Sequence, residues 1–463
     1  MRRLRKRIEK DSLGEKEVPY DVYYGIQTLR ALENFPVTGL RAHPNFIKAY
    51  VMVKKAAALA NMKLRVLKEN VGKAILKACD EILSENLIDQ FVVDVFQAGA
   101  GTSFNMNVNE VIANRALEIS GQEKGKYDLI SPNDDVNRSQ STNDTFPTAS
   151  HVAILISLDK LVSALVHLQD VFESKAEEFK SVLKSGRTHL QDAVPLTLGQ
   201  EFKAYATAIK RQISHINERK RDIEEVALGG TAVGVSTNAP EGYQEEVIQR
   251  LREISNLNVR KPLDLREALQ SHAKMAAFSS SLKELSLELI RIANDLRLLD
   301  SGPASGINEI KLPAVQPGSS IMPGKINPVM AECLNMICFQ IVGNDLAVGM
   351  AVQAGQIDLN VMTPVIIHNI LQSMTMLSNY LPVFADKCVK GIGVNIEKAT
   401  ETLHRNAAIA TLLTPYIGYL EAAKVVKESL ATGKTIVELV KEKGLLSPEK
   451  IKRIFDYKRY LED

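Results

Sequence analysis

Apolar residues recur every three or four positions along three separate stretches of the middle of the chain. Leu158, Leu161, Leu165, Leu168 and Phe172 form one stripe. Ala206, Ile209, Ile213 and Ile216, resumed by Ile223 and Ala227, form a second. Leu282, Leu285, Leu289, Ile292, Leu296 and Leu299 form a third. That period puts each set on one side of a long helix, as in a coiled-coil seam. Two further segments, about 329–352 and 364–384, are apolar all round and should be buried on several sides. Five long helices predict an up-and-down bundle. The all-round apolar helices suggest that bundles from several copies pack together. A helical pattern also runs from Pro44 to about Asn86 and from about Asn109 to Ile119. Shorter helical stretches follow residue 391. No alternating pattern is long enough for a major sheet. The expected division is a mostly helical N-terminal domain (1–140), a central bundle (141–390) and a small C-terminal helical domain (391–463).

With 463 residues and a net charge of +2, no whole-chain field argues for nucleic acid or membrane. The four cysteines, Cys79, Cys333, Cys338 and Cys388, have no CxxC or metal-ligand spacing and read as reduced thiols of a cytoplasmic protein. Residues 1–7 are basic but are followed by no apolar h-region, so they are not a secretory signal. A frayed, solvated terminus is the expectation there, ahead of a nucleic-acid arm. No apolar run reaches the length of a membrane span.

Four polar stretches punctuated by glycine or proline interrupt the helices: 99–103, 139–144, 186–192 and 318–327. Each is expected to begin or end a long helix, where free backbone N–H groups and positive dipole ends bind anions. Together they offer Thr102, Ser141, Thr142, Asn143, Thr188, His189, Ser319, Ser320, Lys325 and Asn327. Many neutral donors, one imidazole and one cation suit a small multiply charged substrate such as a dicarboxylate. They do not suit a metal, and no GxxxxGK[ST] phosphate loop is present. Each has a plainer reading. His189 alone is more often structural, Ser141 to Asn143 alone an N-cap, and Ser319 lacks a GxSxG context. The glycines Gly229, Gly230 and Gly234 read as a turn before they read as a phosphate cradle. Residues alone therefore reach a helical bundle with a polar anion site.

The stretch GSSIMPGKINP (318–328) resembles the signature of the fumarase/aspartase superfamily. AGAGTSFNMNVNEVIANRALE (98–118), PNDDVNRSQSTNDTFPTA (132–149), GRTHLQDAVPLTLGQEF (186–202), SGPASGINEI (301–310) and LTPYIGY (413–419) are similar to its other segments, in order. The resemblance covers essentially the whole chain. Asp192-Ala193-Val194-Pro195, Asn308 and Met362-Thr363 lean to the aspartase branch. The fumarase branch carries threonine, glycine and Phe-Lys at Val194, Asn308 and Met362-Thr363. Fumarases often have a histidine of a second dicarboxylate site where this chain has Ser131, a departure from that pattern.

The resemblance implies a mainly α, three-domain fold whose central helices merge across a homotetramer, with each site built from loops of three subunits. It implies reversible anti elimination of ammonia from L-aspartate to give fumarate, or, as the alternative, hydration of fumarate to L-malate. The base would be Ser319. Thr102, Ser141, Thr142, Asn143, Thr188, His189, Lys325 and Asn327 would bind the substrate. No cofactor is required for such an elimination, and activation by a divalent cation is not readable from the residues. A non-catalytic scaffold of the same fold would be expected to lose the base or the lysine, and this chain keeps both.

Overall fold

A computed structural model describes residues 5–457. The chain opens with an antiparallel hairpin, β1 (Lys6–Asp11) and β2 (Gly14–Pro19), followed by helices α1 (Ile26–Asn34), α2 (Pro44–Lys63), α3 (Glu69–Leu83) and α4 (Thr102–Ile119). The long α5 (Thr142–Glu178) leads into a second hairpin, β3 (Leu183–Thr188) and β4 (Gln191–Thr197), and then α6 (Leu198–Ile223). Next come α7 (Tyr243–Ser255), α8 (Leu265–Gln270), α9 (Ala273–Leu299) and the two-residue strand β5 (Ile310–Lys311). After α10 (Val329–Gln353) and α11 (Thr363–Lys387), β6 (Gly393–Val394) pairs with β5. Helices α12 (Ile396–Arg405), α13 (Thr414–Ile417), α14 (Tyr419–Thr432), α15 (Ile436–Glu442) and α16 (Pro448–Ile454) close the chain. The fold is mainly α, as the periodicity predicts.

The chain divides into two compact units, and each of the five long helices has residues in both. The first unit comprises Met1–Val162, Ser214–Ser286 and Phe339–Leu377. Its centre is an aromatic cluster. Phe46 stacks on Phe104 at 5.1 Å and meets Phe146 at 4.9 Å, while Tyr50 meets the edges of both Phe104 and Phe146. Such pairs add roughly 0.5–1.5 kcal/mol each to the area they bury. They lock α2, α4 and the start of α5 together. Helix α2 starts cleanly because Pro44 occupies its first turn and the His43 ring accepts from the N–H of Asn45.

Arg7 corrects the expectation of a frayed basic terminus. Its guanidinium is buried, pairs with Glu9 at 2.7 Å and donates to the carbonyls of Pro19, Val22 and Tyr24. Lys6 pairs with Glu17 across the hairpin. Met1 to Leu4 lie outside the described residues.

Two histidines are also buried in this unit. His151 donates its Nδ1–H to the carbonyls of Glu225 (2.7 Å) and Ile223 (3.0 Å). Burial pushes both His151 and His272 down to about 4, and the proximity of His151 lowers His272 further. In the unfolded chain both titrate near 6.5. At these two sites the unfolded state therefore binds more protons between pH 6.5 and 4, so the histidines' contribution to stability is full above that window and is lost as pH falls through it, while the raised carboxyls of Asp144 and Glu110 act in the opposite sense. Thermal melts should show the parent losing more stability between pH 6.5 and 4 than a variant that lacks one of these histidines. The loss should be of order 1–3 kcal/mol per histidine at the acid end. A His272→Asn variant should flatten that limb; an unchanged limb would reject the assignment.

The second unit comprises Ser163–Ile213, Leu287–Cys338 and Ser378–Asp463. Phe172, Phe202 and Tyr205 pack with ring centroids 5.7–5.9 Å apart. Leu289, Ile292, Leu296 and Leu299, the later part of the third stripe, are buried. Leu403, Leu413, Val425, Ile436, Leu439 and Ile451 form a core of their own near the C-terminus. Helix α15 there carries a capping box, Thr435 and Glu438.

The expectation that α10 is buried on several sides fails within one chain. Leu334, Cys338, Ile341 and Val348 are buried, but Met336, Phe339, Leu346 and Met350 are 62%, 58%, 68% and 57% exposed. Their spacing of three, seven and four puts them on one face, with Gly343 also exposed between them. Helices α5 and α10 are also long and apolar enough, by composition, to cross a bilayer, which corrects the reading that no segment reaches that length. In α5 two thirds of that window is buried inside the chain, as in a core helix.

Candidate functional site

In the first unit, the N-termini of α4 and α5 open on one cleft of about 950 Å³. Thr102, Ser141 and Thr142 line it, with Asn105, Asn137, Gln140, Thr231 and Ala232. Thr102 is the first residue of α4 and is exposed. The chain reaches it through Ala100 and Gly101, both in the left-handed region. Gly101 is required twice over. Its φ is +81°, and a Cβ there would lie 2.0 Å from the Phe146 ring.

Ser141 precedes α5. Its Oγ accepts from the N–H of Asn143 at 3.2 Å, and its own N–H donates to Asp144 Oδ1 at 3.0 Å. The N-cap reading of this motif is thus correct, and the cap leaves Ser141 and Thr142 on the cleft wall. Asn143 does not line the cleft; its Nδ2 donates to the Ala232 carbonyl at 2.8 Å. Two helix N-termini facing one space favour an anion there.

Sequence reasoning missed what lies under this wall. Asp144 is fully buried, and its Oδ2 accepts from the N–H groups of Gly229 (3.1 Å) and Thr231 (2.9 Å). Lys54 of α2 is fully buried too; its Nζ donates to Asn137 Oδ1 (2.8 Å) and Gln140 Oε1 (3.0 Å). Burial raises the Asp144 carboxyl and lowers the Lys54 ammonium, each to about 7; three backbone N–H groups and the Lys54 charge oppose the rise at Asp144 without cancelling it. Asn105 links the layer to the wall by donating to Thr142 Oγ1 at 2.9 Å. The available signal was the polar stripe Tyr50, Lys54 and Asn61 at helical spacing in an alanine-rich helix. The turn at 229–231 is a ligand of Asp144, in keeping with the turn reading.

A second cleft of about 810 Å³ in the same unit includes Ser131, Asn133 and Asp134 on its wall. Ser131 Oγ there accepts from the N–H groups of Asn133 and Asp134, so it serves as a cap.

In the second unit, Thr188 and His189 sit at the exposed tip of the β3–β4 hairpin. The expected helix-terminal loop at 186–192 is instead this hairpin, turning through His189 and Leu190, both at positive φ. Its base is fixed. Arg187 forms a two-pronged pair with Glu309 at 2.9 and 2.6 Å, and Lys184 lies 3.4 Å from the same buried carboxylate. Asn406 Nδ2 donates to Ser185 Oγ and the Ala193 carbonyl. The tip is therefore held on a rigid stem.

The 318–328 stretch is a loop before α10, also in the second unit. Ser319 Oγ accepts from the backbone N–H groups of Ile321 (3.2 Å) and Met322 (3.0 Å). Gly318 donates its N–H to the Lys325 carbonyl at 2.8 Å, and Asn327 Nδ2 donates to the Gly318 carbonyl. A Cβ at Gly318 would lie 2.4 Å from the Lys325 carbonyl oxygen, so this closure needs glycine. Lys325 is exposed at the end of the loop. Two N–H donors on one hydroxyl oxygen stabilise negative charge there, which is what a serine needs in order to act as a base. Among the described residues no group of three or more His, Cys, Asp or Glu could hold a metal ion.

Residues 14–343 match the Lyase family model, and residues 409–461 match that of the fumarase C C-terminus. An aspartate ammonia-lyase of Bacillus sp is 50% identical over 450 residues, 97% of this chain and 96% of that protein. The aspartate ammonia-lyase of Escherichia coli (strain K12) is 46% identical over 452 residues, 97% and 95% of the two chains. Among solved structures, a Brucella melitensis "fumarate lyase:delta crystallin" bound to cobalt superposes with a TM-score of 0.96 at 48% identity, covering 99% of this chain and 100% of that one. A class II fumarase from Schistosoma mansoni superposes at 0.94 with 37% identity, covering 97% and 98%.

Proposed function

We propose an aspartate ammonia-lyase activity for this chain, which belongs to the fumarase/aspartase superfamily of lyases. The observation that carries the choice is the near-full-length likeness, at 46–50% identity, to proteins of that name. The reaction is the reversible deamination of L-aspartate to fumarate. Ser319, as its alkoxide, takes a proton from Cβ. The electron pair passes through the adjacent carboxylate as an aci-carboxylate. It then forms the Cα–Cβ double bond as the Cα–N bond breaks, and the ammonium leaves as neutral ammonia, so no strong general acid is needed.

Two negative charges on one carboxyl group make electrostatic stabilisation the main demand. Thr102, Ser141, Thr142, Asn143, Thr188, His189, Lys325 and Asn327 form the proposed substrate shell. The assignment of Ser319 is supported by its two backbone N–H donors in a glycine-closed loop. The elimination requires no cofactor in this scheme. The active form is a homotetramer with each site drawn from three copies, a reading supported by the exposed apolar face of α10. We assign it to the cytoplasm, in keeping with four cysteines that form no disulfide.

The test is fumarate formation followed by absorbance, from L-aspartate and from L-malate in parallel. Aspartate alone should react. Reaction with malate alone would transfer the chain to the fumarase branch, a reading favoured by its likeness to the Schistosoma enzyme.

A further inference from the structure

We propose that Asp144 is a positioning residue for this reaction: its buried carboxylate ties the Ser141–Thr142 wall of the cleft to the facing turn at 229–232. The inference rests on the reading that Ser141 and Thr142 contact substrate.

Asp144 cannot touch substrate itself. It is fully buried and does not line the cleft. Both its oxygens are engaged: Oδ1 by the Ser141 N–H, Oδ2 by the N–H groups of Gly229 and Thr231. One side chain therefore anchors two segments whose next residues, Thr142 and Ala232, line the same cleft. The turn's other hydrogen bonds, Gly230 N–H to the Ala227 carbonyl, Gly234 and Ser236 N–H to the Gly230 carbonyl and Ser236 Oγ to the Gly229 carbonyl, close it on itself and do not reach α5. Gly229, Thr231, Gly234, Ser236 and Asn238 all have positive φ, so no regular ladder runs through it. The Asn143 amide on the Ala232 carbonyl is a second tie between the same two segments. Lys54, from α2, bonds Asn137 and Gln140, the chain leading into Ser141, and supplies the countercharge.

The chemistry needs an acceptor at both oxygens. Asparagine at 144 would present one carbonyl oxygen and one NH2 group to three N–H donors. Either Ser141 or the turn would face donor against donor. Released, Ser141 and the turn lose their fixed separation, while Ser319 and its loop are untouched. Substrate binding should suffer more than the proton-removal step.

The experiment is steady-state kinetics of ammonia release from L-aspartate for the full-length enzyme, with circular dichroism and thermal melts alongside. The variants are Asp144→Asn, Ser141→Ala and the double variant. Asp144→Asn should raise KM at least tenfold with kcat falling less than fivefold. The double variant should have a KM within about twofold of the worse single variant, because both changes remove the same wall. A folded Asp144→Asn enzyme with KM within twofold of the parent, or losses that simply multiply, would overturn the proposal. If Asp144→Asn does not fold, Asp144→Glu keeps the charge and displaces the carboxylate by one methylene; it should show the same KM bias at smaller size. Failure of both to fold would assign Asp144 to folding alone and also overturn it. A parent enzyme that releases no ammonia would instead sink the reading of the site, before any variant is made.

Discussion

Ser319→Ala should lower turnover of L-aspartate by about 10³-fold or more, at the upper range expected for loss of a positioned base. The change removes one oxygen from a half-buried loop position. That oxygen accepts only from the N–H groups of Ile321 and Met322 within its own loop. No core contact is lost, so circular dichroism and the size of the assembly should not change. The loop's closure, Gly318 N–H to the Lys325 carbonyl, is made by backbone and should persist. Substrate binding should therefore survive, and KM should move by only a few-fold. A variant with turnover within tenfold of the parent would reject Ser319 as the base. The same geometry explains why an alanine or serine at Gly318 should mimic the loss. A Cβ there collides with the Lys325 carbonyl and would open the turn that aims the two N–H groups at Oγ.

The parts of the fold legible in the sequence were those written in apolar period. Leu158, Leu161, Leu165, Leu168 and Phe172 are all buried, as are the six residues of the third stripe. Ile213 alone among the stripe residues is only half-buried; Ile216 and Ile223, farther along α6, are buried again. The β3–β4 hairpin was hidden because its inward residues are Lys184, Ser185 and Gly186. Buried charge balanced by Glu309 does not look like a strand in an apolar alternation. Site residues named by motif were legible because they stand on turns that need special backbone: Gly101, Gly318 and the cap at Ser141. The layer that holds them was not. A single lysine and a single aspartate, Lys54 and Asp144, lie 90 positions apart, and each alone reads as a solvated charge.

One marker of reaction choice also changes meaning. Asn308 has φ of +50°, a conformation that asparagine and glycine both adopt readily. Asparagine here against glycine in fumarases is therefore explained by backbone, with no substrate contact required. Neither it nor Val194 nor Met362 lines the 950 Å³ cleft. The discrimination between ammonia and water as leaving group rests on the whole-chain likeness rather than on these positions.

Paired charges on the open face of α10 should break the proposed assembly and, with it, the activity. Phe339 and Leu346 are 58% and 68% exposed in the single chain and lie two turns apart on one side of the helix. An apolar stripe of this kind, with Met336 and Met350 at its ends, is costly to leave in water. Its opposite face, Leu334, Cys338, Ile341 and Val348, already packs inside the chain. The stripe thus has no role in folding one copy and every physical reason to join copies. Phe339→Glu combined with Leu346→Glu would bury two unpaired carboxylates per copy in an apolar interface, at several kcal/mol each. Light scattering should show the mass dropping below that of a tetramer, while circular dichroism stays that of the parent. Turnover should fall at least 100-fold if, as proposed, each site draws loops from three copies and so cannot form in one. A variant that keeps its mass would reject α10 as the seam. A variant that dissociates yet keeps full turnover would reject the shared site while leaving the seam intact, so the two halves of the reading stand or fall separately.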